Sequence, residues 1–311
     1  MKFGKVDHPE FIDFTIPLDH PDTATVLTKK RTGTETKVYV GGTSWNSKVM
    51  KNFYPWKVKG YKNLPTSSLT KDELEYYSTQ FNSIELNATF YRIFPADTYE
   101  KWRDKTPEGF KFFPKMTNEV SHLRRMNDKA LEAVDRYLAV TPLLGDKLGT
   151  IFLQMHNNFG PKNWDRVVRF VEYWPKEFPL AMEFRHTDWF NDKKVAQELF
   201  HLLEENNITN VLVDTAGRRD LMHMRLTTNE AFIRYVGANH PSDYPRLDDW
   251  VDRLSSWTAM GLEHIHFFVH QNMEVESPLL SAYFIKQLNS KLGFDLHIPK
   301  TTLPPQKGLF D

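Results

Sequence analysis

A carboxylate and an amide stand side by side at the end of one short apolar run and could take part in acid–base chemistry. Glu85 and Asn87 alternate along the sequence with Ile84 and Leu86. Because side chains in a strand alternate between its two faces, the apolar pair shares one face and the polar pair shares the other. A half-exposed edge strand would show the same pattern. A functional site is favoured because similar polar residues end the other predicted strands.

Residues 183–189 carry the most informative set of chemical groups. Glu183 and Arg185 are two positions apart, so a strand through both would point both side chains to the same side. An ion pair there would keep Glu183 ionised, and Arg185 would offer a bidentate donor fork to a carboxylate or phosphate. His186 is a candidate proton donor, and Trp189 is a candidate wall of a pocket.

The other candidates are chosen by the same rule of position at strand ends. Asp214 is a third candidate acid, and His122 is a second candidate proton donor. Lys115, close to acids, is expected to be protonated, which disfavours a Schiff-base lysine because that chemistry needs a lowered amine pKa. The residues predicted to bind or enclose a substrate are Ser44, Trp45, Asn87, Tyr91, Lys115, Gln154, Arg185, Trp189 and Arg234. Structural ion pairs that close one end of the domain are the competing interpretation.

These side chains can meet only if the scaffold brings the carboxyl ends of the strands together. Apolar runs at 37–41, 83–87, 110–115, 148–154, 180–183, 210–214, 231–236 and 264–269 predict eight strands, each followed by a helical or shortened connection. Such alternation predicts an α/β fold, a single TIM-like (β/α)8 parallel barrel whose chemistry lies at the carboxyl ends of its strands. A doubly wound sheet is the alternative, but no glycine-rich nucleotide loop follows any of these runs.

The predicted organisation is one domain with two extensions. Residues 1–37 form an N-terminal arm on the outside, with a mobile linker at 29–36, residues 38–292 form the barrel, and 293–311 form a proline-rich C-terminal tail. The connection after the sixth predicted strand is short and irregular.

Composition narrows the classes of partner and of chemistry. Forty basic residues balance forty acidic ones, so neither nucleic acid nor a membrane surface is expected as a partner. The absence of cysteine excludes disulfides, thiolate catalysis and cysteine-bound metals. No signal peptide or membrane-spanning run is recognised, so a cytoplasmic location is expected. The oligomeric state stays open.

A set of short motifs occurs in order along residues 38–288. They are Gly42-Thr-Ser-Trp45, Phe53-Tyr-Pro55, Glu85-Leu-Asn87, Thr89-Phe-Tyr91, Trp102 with Thr106-Pro107, Phe112 through Lys115, Ser121-His122, Gln154, Glu183-Phe-Arg-His186 with Trp189, and Arg234. With these motifs the sequence resembles the domain-of-unknown-function 72, or YecE-like, family. The resemblance implies a TIM-like barrel and supplies no activity. The chain departs from the family pattern at 234–237 and at 270–272, and the N-terminal arm lies outside the family core.

Our leading hypothesis is an enzyme that performs acid–base chemistry on a small polar anion, such as a phosphorylated or carboxylated sugar. Lys115, Arg185 and Arg234 would hold the anion. Glu85 or Glu183 would act as general base, and His122 or His186 would donate a proton. The aromatic side chains of Trp45, Tyr91 and Trp189 would wall the pocket.

Three alternatives stay open at this point. A metal-assisted phosphodiester hydrolase could use Glu85, Glu183, Asp214 and His186 as ligands. Glycoside hydrolysis by two carboxylates is the second alternative, and a non-catalytic binding protein is the third. No close histidine pair strengthens a metal site, and the cationic Arg185 lies beside Glu183, so we expect no built-in metal and no cofactor.

Overall fold

The computed structural model describes residues 4–50, 53–55 and 72–301 of the 311-residue chain. Within these ranges short strands alternate with helices, as the sequence predicts, and every strand pairing is parallel. The chain therefore has an α/β fold built on parallel sheets. The strands are short apolar runs that end in polar residues, which suits strands covered on both faces.

The strands of the described residues belong to two sheets. The first sheet has the order β3-β2-β1-β9-β8-β7, and its members are β1 (Lys37–Gly42), β2 (Ser83–Leu86), β3 (Lys111–Pro114), β7 (Leu212–Thr215), β8 (Glu230–Gly237) and β9 (His264–Gln271). The second has the order β4-β5-β6, and its members are β4 (Ile151–Gln154), β5 (Leu180–Glu183) and β6 (Thr209–Asn210).

The two sheets adjoin at both of their edges. On one side, parallel bridges join Phe112 to Leu148 and Lys115 to Phe152. On the other side, the sixth predicted strand is interrupted at Val211, so that its first part pairs with β5 and its second part pairs with β8. The carboxyl ends of the strands consequently lie on one side of the molecule, which we call the strand-end face.

Helices connect the strands and cover their outer side. They are α1 (Asp22–Lys30), α2 (Glu73–Gln80), α3 (Ala88–Tyr91), α4 (Ala96–Asp104), α5 (Leu131–Leu138), α6 (Trp164–Tyr173), α7 (Asp188–Asn191), α8 (Lys193–Glu205), α9 (Asp243–Met260) and α10 (Ser277–Leu292). Local chemistry sets several of their ends. The Asp192 side chain accepts from two N–H groups at the start of α8, and Gly261 ends α9 in the left-handed region with φ of 115°.

A capping box is predicted at 70–73, and its first two residues lie outside the described part of the chain. The structure shows Asp72 as the N-cap of α2, with its side chain accepting from the N–H groups of Leu74 and Glu75.

Apolar side chains on the inner side of the strands form one buried layer. Its members are Phe113, Phe152, Ala181, Val211, Val213, Phe232 and Phe268. Because side chains alternate along a strand, the residue two positions after a layer member points to the same inner side. Five of these residues have long polar side chains that reach the strand-end face, namely Lys115, Gln154, Glu183, Arg234 and His270. The apolar layer thus forms a floor beneath a polar group.

The N-terminal arm is more ordered than its sequence suggests. The predicted mobile linker at 29–36 is wrong, because α1 runs to Lys30 and the N–H groups of Thr32 and Gly33 donate to the Glu263 carboxylate at 2.6 and 2.7 Å. A carboxylate that receives several N–H donors holds a loop firmly, and the sequence around 29–36 gives no sign of that distant acceptor.

Helix α1 covers the connection between β7 and β8, which the sequence predicts to be short and irregular. Thr23 donates its hydroxyl to the carbonyl of Met224 at 3.0 Å and accepts from the N–H of Leu226 at 3.2 Å. Leu27 is buried in the same apolar cluster as Leu247 and Trp250 of α9. The arm therefore shields a stretch of chain that has no long helix of its own.

The predicted C-terminal tail is described only as far as residue 301, and residues 302–311 lie outside the described part. Its beginning is held to α10, because the Asn289 side chain exchanges two hydrogen bonds with the backbone of Leu296, at 2.8 and 3.1 Å. None of the helices in the part of the chain that the structure describes has both the length and the apolarity needed to cross a membrane.

Candidate functional site

Eight polar side chains form one hydrogen-bonded group on the strand-end face. We call this group the strand-end cluster, and its members are Glu85, Asn87, Lys115, Gln154, Glu183, Arg185, Arg234 and His270. They come from six strands and the residues just after them, at positions that span most of the chain. The parallel arrangement of the strands brings their carboxyl ends together.

Arg234 lies at the centre of the strand-end cluster and is bound by two carboxylates. Its Nε and Nη2 donate to the two oxygens of Glu85 at 2.8 and 2.9 Å, and its Nη1 donates to Glu183 Oε2 at 2.8 Å. The side-chain nitrogen Nε2 of His270 lies 3.1 Å from Arg234 Nη2 and 3.2 Å from Glu85 Oε2. All three side chains in the ion pairs are buried.

Burial and ion pairing act on these groups in opposite directions, and ion pairing prevails. Burial alone would raise the pKa of Glu85, but the charges of Arg234 and His270 hold it well below its ordinary value. Burial likewise opposes ionisation of Glu183, yet Arg185 and Arg234 lower the pKa of that carboxyl to about 2. The pKa of Arg234 is raised, since its two carboxylate partners outweigh burial. Both acids are ionised at neutral pH.

This pairing contradicts the prediction that Arg234 holds a substrate anion. Its guanidinium donors already face carboxylates, and only 5% of the residue is exposed. Glu85 and Glu183 are equally occupied, and their lowered pKa values make them weak bases at neutral pH, which opposes the predicted role of either as general base. Arg234 is a strut that ties β2 and β5 to β8.

Lys115 differs from the other charged members because its hydrogen-bond partner is neutral. Its Nζ donates to Gln154 Oε1 at 2.8 Å, while Gln154 Nε2 donates to Glu183 Oε2 at 2.9 Å. A carboxylate only accepts, so the amide must turn its nitrogen towards Glu183 and its oxygen towards Lys115. The Nζ atom also lies 4.3 Å from the centre of the Phe90 ring. Lys115 thus contacts a neutral amide oxygen and the face of an aromatic ring where a carboxylate could have stood.

The expectation that Lys115 is firmly protonated is therefore wrong. Burial lowers the pKa of the ammonium, the positive charges of Arg234 and Arg185 lower it further, and Glu85 and Glu183 offset only part of this; the result is a pKa of about 7. Glu85 and Glu183, which were expected to keep the lysine charged, form their ion pairs with Arg185 and Arg234 and therefore stabilise the ammonium only weakly. An amine that titrates near neutrality can exchange protons or act as a nucleophile.

A rim of basic side chains adjoins Lys115 on the side of β3 and β4. It carries the positive charges of Arg125 and Arg185 and the imidazoles of His122 and His156, and we call it the charged rim. His122 lies on the π-helical turn Glu119–Leu123, with its ring 4.9 Å from that of Phe90 and 5.1 Å from that of His156. Burial lowers the pKa of His122 to about 4, and nearby His156, Lys115, Arg185 and Arg125 contribute to the shift. His122 is then neutral at neutral pH, which opposes its predicted role as proton donor.

A cavity of about 330 Å³ lies beside the strand-end cluster. Four predicted substrate-binding residues line it: Ser44, Trp45, Asn87 and Tyr91. Asn87 connects the cavity to the cluster, because its Nδ2 donates to Glu85 Oε1 at 2.8 Å. Helix α3 stands between the cavity and Lys115, with Tyr91 on the cavity side and Phe90 against the lysine.

Three predicted site residues belong neither to the strand-end cluster nor to the cavity or the rim beside it. Asp214 faces outwards, where Arg246 Nη2 and Trp250 Nε1 of α9 each donate to it at 2.8 Å. Trp189 is fully buried in the outer apolar cluster and donates to the carbonyl of Phe159. His186 packs against Gly160 and lies 3.6 Å from Asp188. Strand alternation explains two of these positions, because Asp214 is one residue from the inward-facing Val213 and His186 is one residue from Arg185. Trp189 lies on helix α7, beyond the end of β5, so strand alternation does not set its direction.

The outward position of Asp214 also removes the metal site that could be assembled on paper from Glu85, Glu183, Asp214 and His186. All three acids are bound to arginines, and Asp214 and His186 point away from the other two residues. Within residues 4–50, 53–55 and 72–301, no group of three or more His, Asp or Glu side chains is placed to hold a metal ion. The expectation of a metal-free protein stays a prediction.

We expect Asp214→Asn to act on stability and not on the site. Removing the charge leaves Arg246 buried with a weaker partner, so the free energy of unfolding should fall by about 2–4 kcal/mol. Urea unfolding at neutral pH measures this. The matched control is Asp220→Asn, because Asp220 is an exposed acid on the following turn that pairs with Arg218. This control should lower the free energy of unfolding by less than about 1 kcal/mol. A loss at Asp214 no larger than in this control would contradict the structural role.

Sequence reasoning missed three residues around Lys115. His156 follows Gln154 by two positions, so the strand-end rule could have found it. Phe90 lies on α3, four residues after the end of the strand that carries Glu85, and nothing in the sequence shows that it covers a lysine. Arg125 adopts a positive φ of 47° in an irregular loop, and no sequence pattern predicts where such a side chain points.

The fold and the site define an α/β protein of parallel strands with a buried ionic cluster at the strand ends. The chain matches the family model described as "Protein of unknown function DUF72" over residues 39–305 and belongs to this family, which confirms the resemblance seen in the sequence. The arm that contains α1 precedes the matched region.

Curated relatives and solved structures agree with this assignment. The chain is 26% identical to the UPF0759 protein YecE of Escherichia coli strain K12 over 76% of its own length and 92% of that protein. It is 28% identical to the UPF0759 protein YunF of Bacillus subtilis, over 65% of this chain and 71% of that one. Crystal structures of DUF72 family proteins superpose with TM-scores of 0.62 for Enterococcus faecalis, at 16% identity, and 0.59 for Thermotoga maritima, at 24% identity. They cover 84% and 81% of this chain and 99% of each structure, and they support the fold alone.

Proposed function

We propose that this protein is an enzyme that binds a small polar anion at the strand-end face and exchanges a proton with it through Lys115. The observation that carries the proposal is the environment of the Lys115 ammonium: a neutral amide as partner, an aromatic ring, and arginines as neighbours. Every other strong charge of the cluster has a counter-charge. Lys115 alone gains a partner when an anion arrives.

The charged rim supports an anionic ligand over a neutral one. The positive charges of Lys115, Arg185 and Arg125 help to lower the pKa of His122, and those of Arg125 and Arg185 help to lower the pKa of His156. A bound carboxylate or phosphate would relieve this repulsion and would raise the pKa of Lys115. Proton uptake by Lys115 is thereby coupled to binding, which is the behaviour a proton-transfer group needs.

The two carboxylates serve as the support of the site in this proposal. Their lowered pKa values and their common arginine disfavour glycoside hydrolysis, which requires one carboxylic acid with a raised pKa.

The proposal also includes the architecture of the domain. The adjoining edges of the two sheets and the inner apolar layer support a TIM-like (β/α)8 barrel, whose reaction centre would lie at the carboxyl ends of its strands.

Sulfate is a suitable probe because its charge does not change between pH 6 and pH 9. We expect sulfate to raise the melting temperature of the wild-type protein clearly more at pH 6 than at pH 9, with sodium chloride at equal ionic strength as reference. The sign follows from Lys115, which is protonated below its pKa of about 7 and neutral above it. Lys115→Met should lose the pH-dependent part.

The matched control is Lys129→Met, which removes an exposed lysine and should behave like the wild type. Equal stabilisation by sulfate at both pH values, unchanged in Lys115→Met, would refute the proposed role of Lys115. A complete absence of stabilisation would favour a non-catalytic, self-paired cluster.

A further inference from the structure

The Nζ atom of Lys115 makes one side-chain hydrogen bond, to Gln154, and its other directions face aromatic rings or the strand-end face. The Gln154 amide is oriented by Glu183, so it can only accept from Lys115 and occupies one N–H direction. Phe90 and Phe152 lie beside the Nζ atom, with ring centres at 4.3 and 5.9 Å. No carboxylate is within ion-pair distance of Nζ among the described residues. The neutral amine therefore keeps a lone pair that the protein does not engage.

We propose that Lys115 attacks the carbonyl carbon of a small 2-oxo acid and forms a Schiff base with it. This inference rests on the proposed function, since the carboxylate of such a molecule is the anion that the charged rim would bind. The carbonyl carbon next to that carboxylate would then meet the amine. The 8% exposure of Lys115 restricts the reaction to molecules of a few carbon atoms.

The covalent step needs no reagent beyond the amine and the substrate. The Nζ lone pair forms a bond to the carbonyl carbon, and a proton moves from nitrogen to the former carbonyl oxygen to give a carbinolamine. The hydroxyl group takes up a proton from the solvent and leaves as water, and the nitrogen keeps its remaining proton in a protonated C=N bond. The positive charge of the protonated Schiff base is offset by the carboxylate of the substrate, and Phe90 and Phe152 limit access of water to the C=N bond.

Charged or titratable groups on four sides of Lys115 decide at which pH the neutral amine is available. They are Glu85 on β2, Glu183 and Arg185 at the end of β5, Arg234 on β8, and the His122 imidazole on the turn after β3. Glu85 and Glu183 are bound by the arginines, so neither provides Lys115 with a direct partner. Gln154 is the residue that excludes a carboxylate from this position, and it is a positioning residue for the proposed reaction.

The test is reductive trapping with glyoxylate, the smallest 2-oxo acid, and sodium cyanoborohydride at pH 7.5. Hydride addition to the C=N bond leaves a carboxymethyl group on the modified lysine, which peptide mapping by mass spectrometry locates. We expect Lys115 to be modified at least tenfold faster than the exposed lysines Lys129 and Lys162, which are internal controls in the same digest. Inorganic sulfate should slow the modification of Lys115 alone.

Gln154→Glu is the decisive variant because it keeps the shape of the side chain and gives Lys115 a carboxylate partner. In this variant Lys115 should be trapped at least tenfold more slowly than in the wild type at pH 7.5, and the trapping rate should rise again as the pH is raised. Circular dichroism checks that the variant is folded. Lys115→Met checks the assignment, because it should give no adduct at this position. Labelling of Lys115 no faster than of Lys129, or labelling in Gln154→Glu equal to the wild type, would overturn the inference. If trapping fails while sulfate still stabilises the wild type through Lys115, the proton-transfer proposal survives and only the Schiff base is lost.

Discussion

Replacing Arg234 with methionine is expected to lower the free energy of unfolding by about 3–5 kcal/mol at neutral pH. The guanidinium is the shared counter-charge of Glu85 and Glu183, which are 0% and 1% exposed. Without it, two buried carboxylates repel each other and lack solvation. Urea unfolding followed by circular dichroism measures the loss, and the expected size is large enough to leave part of the protein unfolded at moderate temperature.

The pH dependence of this loss has a definite sign. In the wild type the pKa of Glu183 is lowered to about 2, so its contribution to stability is present above about 4.5 and is lost as the pH falls towards 2. In Arg234→Met the buried carboxyls gain nothing from ionisation, and their pKa values should rise above the ordinary range. The difference in stability between the two proteins should therefore shrink as the pH falls from 7 to 4.

Two controls separate this effect from a simple loss of side-chain packing. Arg169→Met removes an exposed arginine that pairs with Asp128 and should cost less than about 1 kcal/mol. The triple variant Arg234→Met, Glu85→Gln, Glu183→Gln removes the unpaired charges and should regain a large part of the lost stability. An Arg234→Met protein within about 1 kcal/mol of the wild type would show that Arg234 is not a strut and would reopen its role in anion binding.

Replacing Lys115 with methionine is expected to have the opposite effect and to stabilise the protein at neutral and acidic pH. A lysine whose pKa falls from 10.5 to about 7 on folding opposes folding at low pH, because the unfolded chain keeps the proton more readily. The difference corresponds to at most about 5 kcal/mol, and we expect a measured gain of about 2–4 kcal/mol at pH 6.

The pH profile identifies the cause of this gain. The penalty is fully present below about pH 7 and disappears as the pH rises to the ordinary lysine value, so the advantage of Lys115→Met should decrease between pH 7 and pH 10. Lys129→Met serves as the exposed control and should show no such profile. A Lys115→Met protein less stable than the wild type at pH 6 would mean that the ammonium is well paired. A gain would fit a residue retained for chemistry at the expense of stability.

The sequence by itself predicts the alternation of strands and helices and therefore the α/β class of the fold. It also indicates which polar residues face inwards wherever a strand alternates clearly, as at Ile84-Glu85-Leu86. Period two is a local property of the backbone, so it can be recognised without knowing which strand is the neighbour. The prediction for Asp214 neglected this rule, because Leu212 and Asp214 share the outer face while Val213 lies inside.

Only the tertiary structure decides which charge meets which. Arg234 and Glu85 are 149 residues apart, and their pairing depends on the order and the stagger of the strands, which no local pattern records. The same arrangement places a neutral amide next to Lys115 and directs both carboxylates towards arginines. Because the interaction of charges depends on distance and burial, the residue types alone suggested a firmly charged lysine. The folded chain instead places an amine that titrates near neutral pH at the centre of the candidate site.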